Sequence, residues 1–194
     1  DMDANGVLAS MCFPSFAGMS GAYFARCDDR QLGLACLQAY NDWHIDGWCA
    51  SHPGRFIPLP LSPLWDPQLA AQEVRRVARK GATAITFSED TESLGFPSIH
   101  SGAWDPFFKA CVDEGVVVAI HIASGAGGLT GSDFVPMDVK ITMPCWNALP
   151  CAANFLWCKS LQKFPDLKIA LSEGGTSWIP GFLDRMERHY GNQR

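Results

Sequence analysis

Hydrophobic positions along the chain alternate between short continuous runs and longer stretches with helical spacing. Five runs rich in apolar and β-branched residues read as strands: Val7 to Pro14, Phe56 to Leu64, Ala82 to Ser88, Val116 to Ser124 and Leu167 to Glu173. Runs that are continuous rather than alternating predict parallel strands covered on both faces. Pro58 and Pro60 weaken the second run, since each removes a ladder donor. Helical spacing falls between the runs, over Asp28 to Ser51, Asp66 to Lys80, Asp105 to Gly115, Cys151 to Lys163 and Ile179 to Tyr190. Asp66 and Pro67 supply an N-cap and a proline at the first helical position, Gly81 supplies a stop, and Asp105, Pro106 and Gly115 repeat that grammar. Five strand–helix units imply a parallel α/β sheet with right-handed crossovers, as an open doubly wound sheet or as part of a (β/α)8 barrel. Length by itself favours the open sheet, because the chain has 194 residues and a complete barrel takes about 250.

Composition narrows the partners. With 47% apolar and 18% charged residues, the chain is expected to form one compact domain over residues 1–194. The net charge of −5, with no basic cluster beyond Arg75, Arg76, Arg79 and Lys80, argues against nucleic acid or an anionic membrane and leaves small molecules or proteins. There is no apolar run long enough to span a bilayer, and Asp1, Met2 and Asp3 do not resemble a basic signal-peptide head, so a cytoplasmic protein is expected. The eight cysteines lie in apolar segments without a CxxC framework and read as reduced core thiols.

In parallel α/β folds, chemistry gathers at the carboxyl ends of strands. His121 stands just before such an end and precedes the glycines from Gly125 to Gly131; it can ligate a metal, act as a base or bond a carbonyl. That glycine cluster matches neither GxGxxG nor a phosphate loop ending in Lys-Ser/Thr. Glu173 ends an apolar run and is followed by Gly174 and Gly175; it can ligate a metal, act as a base or cap the next helix. Glu89 at the equivalent height after its strand, His100 in the loop FPSIHSG and Trp178 are candidates for substrate contact. Phe13, Phe16, Trp65, Phe87, Trp104 and Trp146 also lie near strand ends, as pocket wall or core. His44, His52 and His189 read as surface or packing residues.

Three blocks, GRFIPLPLSPLWDPQLAAQEVRRVARKGATAITFSED, FPSIHSGAWDPFFKACVDEGVVVAIHIASG and FPDLKIALSEGGTSWIPGFLDRMERHY, together resemble the amidohydrolase-related family. This is the branch of metal-dependent (β/α)8 hydrolases that includes aminocarboxymuconate semialdehyde decarboxylase. The resemblance implies that the five strands correspond to barrel strands two to six. It also implies a divalent metal, zinc by expectation, with His121 as the strand-five ligand. Glu173 stands where many relatives carry the strand-six histidine, which assigns it metal ligation and, conditionally, proton transfer.

Neither the His-x-His pair of strand one nor the Asp of strand eight occurs here, so the ligand set is incomplete and two strand edges stay open, which predicts a homo-oligomer. The expected function is a metal-dependent hydrolase acting on a small, cyclic or aromatic carbonyl or carboxylate substrate. A non-oxidative decarboxylase of the same family is the alternative, and beyond it a non-catalytic fragment or binding module.

Overall fold

The computed structural model describes residues 1–125 and 134–191. Three parallel strands, β1 (Ala84–Phe87), β2 (Val117–His121) and β3 (Ile169–Ser172), form a sheet in the order β1-β2-β3. Thr86 lies opposite Ala119, Ala119 opposite Ala170, and His121 opposite Ser172. Side chains alternate across a strand, so this register sorts them by size. Ile85, Phe87, Val118, Ile120, Ile169 and Leu171 share one face, whereas Ala84, Thr86, Val117, Ala119, His121, Ala170 and Ser172 share the other.

The large face is covered by α2 (Pro67–Ala78) and α3 (Asp105–Asp113). Phe87 sits at its centre, fully buried, with Trp104 edge-on at 4.8 Å and Phe107 stacked at 5.0 Å between ring centroids. Helix α2 follows its sequence signals: the Asp66 carboxylate accepts from the Gln68 and Leu69 N–H groups, and Ala70, Ala71, Val74 and Val77 are buried. In α3 the grammar is read differently. Asp105 lies inside the helix, and its carboxylate accepts from the Ser160 hydroxyl and pairs with Lys163 on α6 (Lys159–Lys163).

The two strands expected over residues 7–14 and 56–64 are extended segments joined by a single parallel bridge, Ser10 to Phe56. Prolines at 58, 60 and 63 leave few donors, and side chains from a neighbouring helical segment take two of them, the N–H groups of Leu59 and Leu61. That helix, α1 (Arg30–Asp42), runs on through a wide π-type turn at Trp43–Trp48 and a tight one at Cys49–Ser51. Asn41 accepts from the Leu61 N–H at 2.7 Å and donates to the Leu61 carbonyl at 2.9 Å, while His44 Nε2 accepts from the Leu59 N–H at 3.1 Å. On the opposite side the Thr86 N–H donates to the Pro60 carbonyl at 2.8 Å, which holds the segment beside β1.

The single helix expected over 151–163 is two: α5 (Ala148–Leu156), then a break at Cys158, whose extended backbone and thiol cap α6. The sequence reading did not anticipate the short α4 (Met137–Thr142), which precedes α5. Helix α7 (Ile179–Gly191) forms as expected, but none of its side chains is buried. All eight cysteines are free thiols. Four are buried, yet Cys12 and Cys36 are exposed, so the expectation of core thiols holds only for half of them. Among the described residues no helix is long and apolar enough to cross a membrane.

His44 is 4% exposed, and burial lowers its pKa below the ordinary value near 6.5. An imidazolium could not accept the Leu59 N–H, so below about pH 6.5 the unfolded chain binds the proton more readily than the folded one. Stability from this contact is therefore complete above about pH 6.5 and falls as the pH drops towards the lowered value. Urea midpoints at pH 7.5 and 5.5 check this: His44→Gln, which keeps an acceptor but cannot titrate, should show a smaller difference than wild type. Equal differences would remove His44 as the cause.

Candidate functional site

The small face of the sheet ends in a cluster of polar groups at the strand carboxyl ends. His121 closes β2 with its side chain on that face, and the Phe13 ring packs against the imidazole in a T-shaped arrangement, 4.8 Å between ring centroids. Nδ1 lies 2.7 Å from the Ile122 carbonyl oxygen, which only accepts, so Nδ1 must carry a proton. Nε2 lies 3.0 Å from Glu173 Oε2. A neutral imidazole that donates through Nδ1 has only a lone pair at Nε2, and a lone pair does not face a carboxylate oxygen without a cation, proton or metal, between them.

Backbone strain marks the same place. Ala123 (φ +59°) and Glu173 (φ +64°) are the described non-glycine residues in the left-handed region, one just beyond each of two adjacent strands. Such a conformation costs of order 1 kcal/mol and persists where surrounding structure imposes it. At Glu173 the constraint is visible. The following Gly174 lies so close to α5 that a Cβ there would stand 2.2 Å from the Ala148 Cβ. Trp178 Nε1 donates to the Gly174 carbonyl at 2.8 Å and its ring meets Phe182. Trp178, a candidate for substrate contact, thus has a visible part in holding the turn that carries Glu173.

The Glu173 side chain is 68% exposed and that of His121 only 14%. β3 is the edge strand of the described sheet and its residues are half-buried, so the Glu173 carboxylate stands on the open side of that sheet.

Glu89 follows β1 at the same height. Its Oε1 accepts weakly from the Gly125 N–H at 3.4 Å, and its Oε2 is buried with no partner among the described residues. Burial raises its pKa above the usual carboxylate range, opposed by the Gly125 and Ala123 N–H groups and by the positive field of His121. Sequence reasoning missed the serines that build this corner. The Ser20 and Ser88 hydroxyls donate to the Ser124 carbonyl at 2.9 and 3.1 Å, and Ser124 Oγ accepts from the Glu89 N–H at 2.8 Å. Thr86, on the small face, buries a hydroxyl that likewise has no described partner.

His100 is not brought to this cluster. It occupies a one-turn helix at Ile99–Ser101, Nε2 lies 3.2 Å from Asn154 Oδ1, and it lines a separate cavity with Trp157, Phe182 and Met186. The loop folds back onto the helix layer because Trp104 Nε1 and Thr91 Oγ1 both donate to the Pro97 carbonyl and the Cys158 thiol donates to that of Ile99. His52 bonds its neighbour Ser51, and His189 lies on exposed α7. Of the glycine cluster, Gly127, Gly128 and Gly131 lie outside the described residues.

His121 Nε2 and Glu173 Oε2 fit two corners of a divalent-metal site. One nitrogen and one carboxylate oxygen suit such an ion, and two ligands about 2.1 Å from a cation and at right angles stand about 3.0 Å apart, close to their separation of 3.0 Å. Among the described residues no group of three or more His, Cys, Asp or Glu side chains is arranged to hold one.

Comparison with known proteins identifies what the whole chain is similar to. A family model described as Amidohydrolase matches residues 1–193. The 2-amino-3-carboxymuconate-6-semialdehyde decarboxylase of Dictyostelium discoideum is 27% identical over 176 residues, which cover 87% of this chain and 44% of that protein. An amidohydrolase from Mycobacterium avium subsp. paratuberculosis K-10 superposes with a TM-score of 0.77 at 23% identity, over 99% of this chain and 51% of its own. The 5-carboxyvanillate decarboxylase of Novosphingobium aromaticivorans DSM 12444, in complex with manganese and 4-hydroxy-3-methoxy-5-nitrobenzoic acid, gives 0.74 at 20% identity, over 98% and 52%. The chain spans about half the length of these relatives. The structural neighbours are amidohydrolase barrels, and the three parallel strands described here form a partial sheet of that kind, in place of the open sheet that length favoured.

Proposed function

The chain belongs to the amidohydrolase family, and on that premise we propose that the protein carrying it is a metal-dependent carboxy-lyase, which removes CO2 from a small cyclic or aromatic acid. The observation that carries the reading is the 3.0 Å approach of His121 Nε2 to Glu173 Oε2 with Nδ1 already committed to a carbonyl. Decarboxylation is favoured over hydrolysis because two of the similar proteins carry decarboxylase names. Hydrolysis of a carbonyl derivative is the second reading, since it needs the same two residues.

In this proposal His121 and Glu173 hold a divalent ion, zinc or manganese, together with groups outside the described residues. When bound, that ion supplies Lewis-acid stabilisation of negative charge on the substrate's oxygens. Phe13 packs on the imidazole and keeps water from one side of it. When the C–C bond breaks, its electron pair stays on the carbon that loses CO2, and that carbon takes up one proton. Glu89, whose pKa burial raises above its ordinary value and which ends the neighbouring strand, is the group we assign to deliver it.

The test is CO2 release from hydroxylated benzoic acids, with and without a chelator, by the protein that carries this chain. Chelator-sensitive release is expected. Hydrolysis of an ester or amide without CO2 release would transfer the assignment to the second reading. Glu173→Gln, which keeps shape but removes the charge, should lower turnover at least about tenfold. Unchanged turnover would remove Glu173 from the site.

A further inference from the structure

Gly174 is buried where three segments meet. A Cβ built on it would stand 3.7 Å from Ile122 Cγ2 as well as against Ala148, so the turn after β3 rests on the first residue of α5 and on the Ile122 side chain. Ile122 is the residue whose carbonyl fixes His121 Nδ1, and its N–H donates to the Ser172 carbonyl at 3.3 Å. This one glycine therefore adjoins both halves of the pair. Glu173 precedes it in the chain, and the residue that orients His121 touches it. Beyond it Gly175 is left-handed (φ +59°), and a Cβ there would lie 3.7 Å from that of Cys145.

Van der Waals contact fixes where Gly174 sits but not how its peptide is turned. The Trp178 indole N–H, 2.8 Å from the Gly174 carbonyl oxygen, does that. One hydrogen bond contributes about as much as a left-handed residue costs, so this bond is enough to decide whether Glu173 keeps its conformation or relaxes to an ordinary one. Trp178 is itself anchored. Its carbonyl accepts from the Phe182 N–H at 3.0 Å, and the two rings meet in a T-shaped contact with centroids 5.9 Å apart. With its one polar hydrogen committed to Gly174, the indole has no donor left for a substrate.

We infer that Trp178 is a positioning residue: its N–H holds the Gly174 peptide, keeps Glu173 left-handed and so aims the carboxylate at the atom shared with His121 Nε2. The inference deepens the metal-dependent reading, on which it rests for the claim that this atom is a divalent ion. The hold on Glu173 itself does not depend on a metal.

Two replacements isolate the N–H. Trp178→Phe removes it with part of the ring, and benzothienylalanine at position 178 puts sulfur in its place with the ring shape unchanged. Crystals of the metal-free proteins should show Glu173 outside the left-handed region in both. The Kd for manganese, read from the electron paramagnetic resonance signal of the free ion, should rise at least about tenfold, the range for losing a group that orients a ligand. The benzothienylalanine protein should melt no more than about 4 °C below wild type, as the loss of one hydrogen bond allows, and it decides the matter should Trp178→Phe fail to fold. Trp157→Phe, at the opposite end of α5 from Ala148, should bind manganese as wild type does. A benzothienylalanine protein that keeps Glu173 left-handed, or one that binds manganese as tightly as wild type, overturns the inference, as does an equal loss in Trp157→Phe. A wild type without affinity for manganese, whose Glu173 is nevertheless released by the replacement, would overturn only the metal-dependent reading.

Discussion

Replacement of His121 by Asn is expected to lower both metal occupancy and turnover at least about a hundredfold while the protein stays folded. Removing a partner of a metal-bound histidine already costs about tenfold to a hundredfold, and removing the ligand itself costs more. Asn is shorter, so its amide cannot reach the position of Nε2, the atom that faces Glu173 Oε2 at 3.0 Å. Folding should survive because the imidazole's bonds are local, to Ile122 and Glu173, and the neighbouring core of Ile120, Val118 and Phe87 lies on the other face of the sheet. Elemental analysis, CO2 release and a thermal melt of the same preparation check all three parts. A variant that melts like wild type and keeps its metal would show that the histidine serves packing against Phe13 alone.

Gly174→Ala should be the most destabilising single methyl that can be added near the site. The new Cβ would stand 2.2 Å from the Ala148 Cβ, and both atoms are fixed to backbone, so no rotamer change relieves the clash. Ala148 is buried at the start of α5, and the glutamate before Gly174 is already in the left-handed region. Overpacking of this kind costs about 1–3 kcal/mol, which corresponds to a melting point lower by roughly 3–10 °C in a protein of this size. Ala148→Gly removes the opposing methyl, so the double variant should recover most of the loss, as a double-mutant cycle would register. A single variant that melts within about 1 °C of wild type would mean that the turn does not press against α5.

The parts of this architecture that the sequence made legible are those governed by local signals. The apolar runs over 82–88, 116–124 and 167–173 each contain a strand, and helix α2 begins at its Asp-Pro pair. His121 and Glu173 could be paired in advance because both stand at carboxyl ends of parallel strands, and the register brings those ends level. What stayed hidden depends on contacts between distant segments. Asn41 and His44 read as ordinary helical residues, yet they bond the backbone of Leu59 and Leu61, whose flanking prolines prevent a regular ladder. The bond from Ser20 to Ser124 spans 104 residues and has no local signature. His100 was drawn away from the strand ends by the packing of its own loop, through Pro97 and Cys158, which no short-range pattern encodes. Asp105 carried the mark of a cap and instead meets α6.

The central claim is that the imidazole of residue 121 and the carboxylate of residue 173 grip one divalent ion. Crystals of the manganese-loaded protein, with diffraction recorded on both sides of the manganese absorption edge, address it directly. An anomalous peak bonded to both His121 Nε2 and Glu173 Oε2 is the predicted result. A peak elsewhere, with those two atoms still in direct contact, would contradict the account.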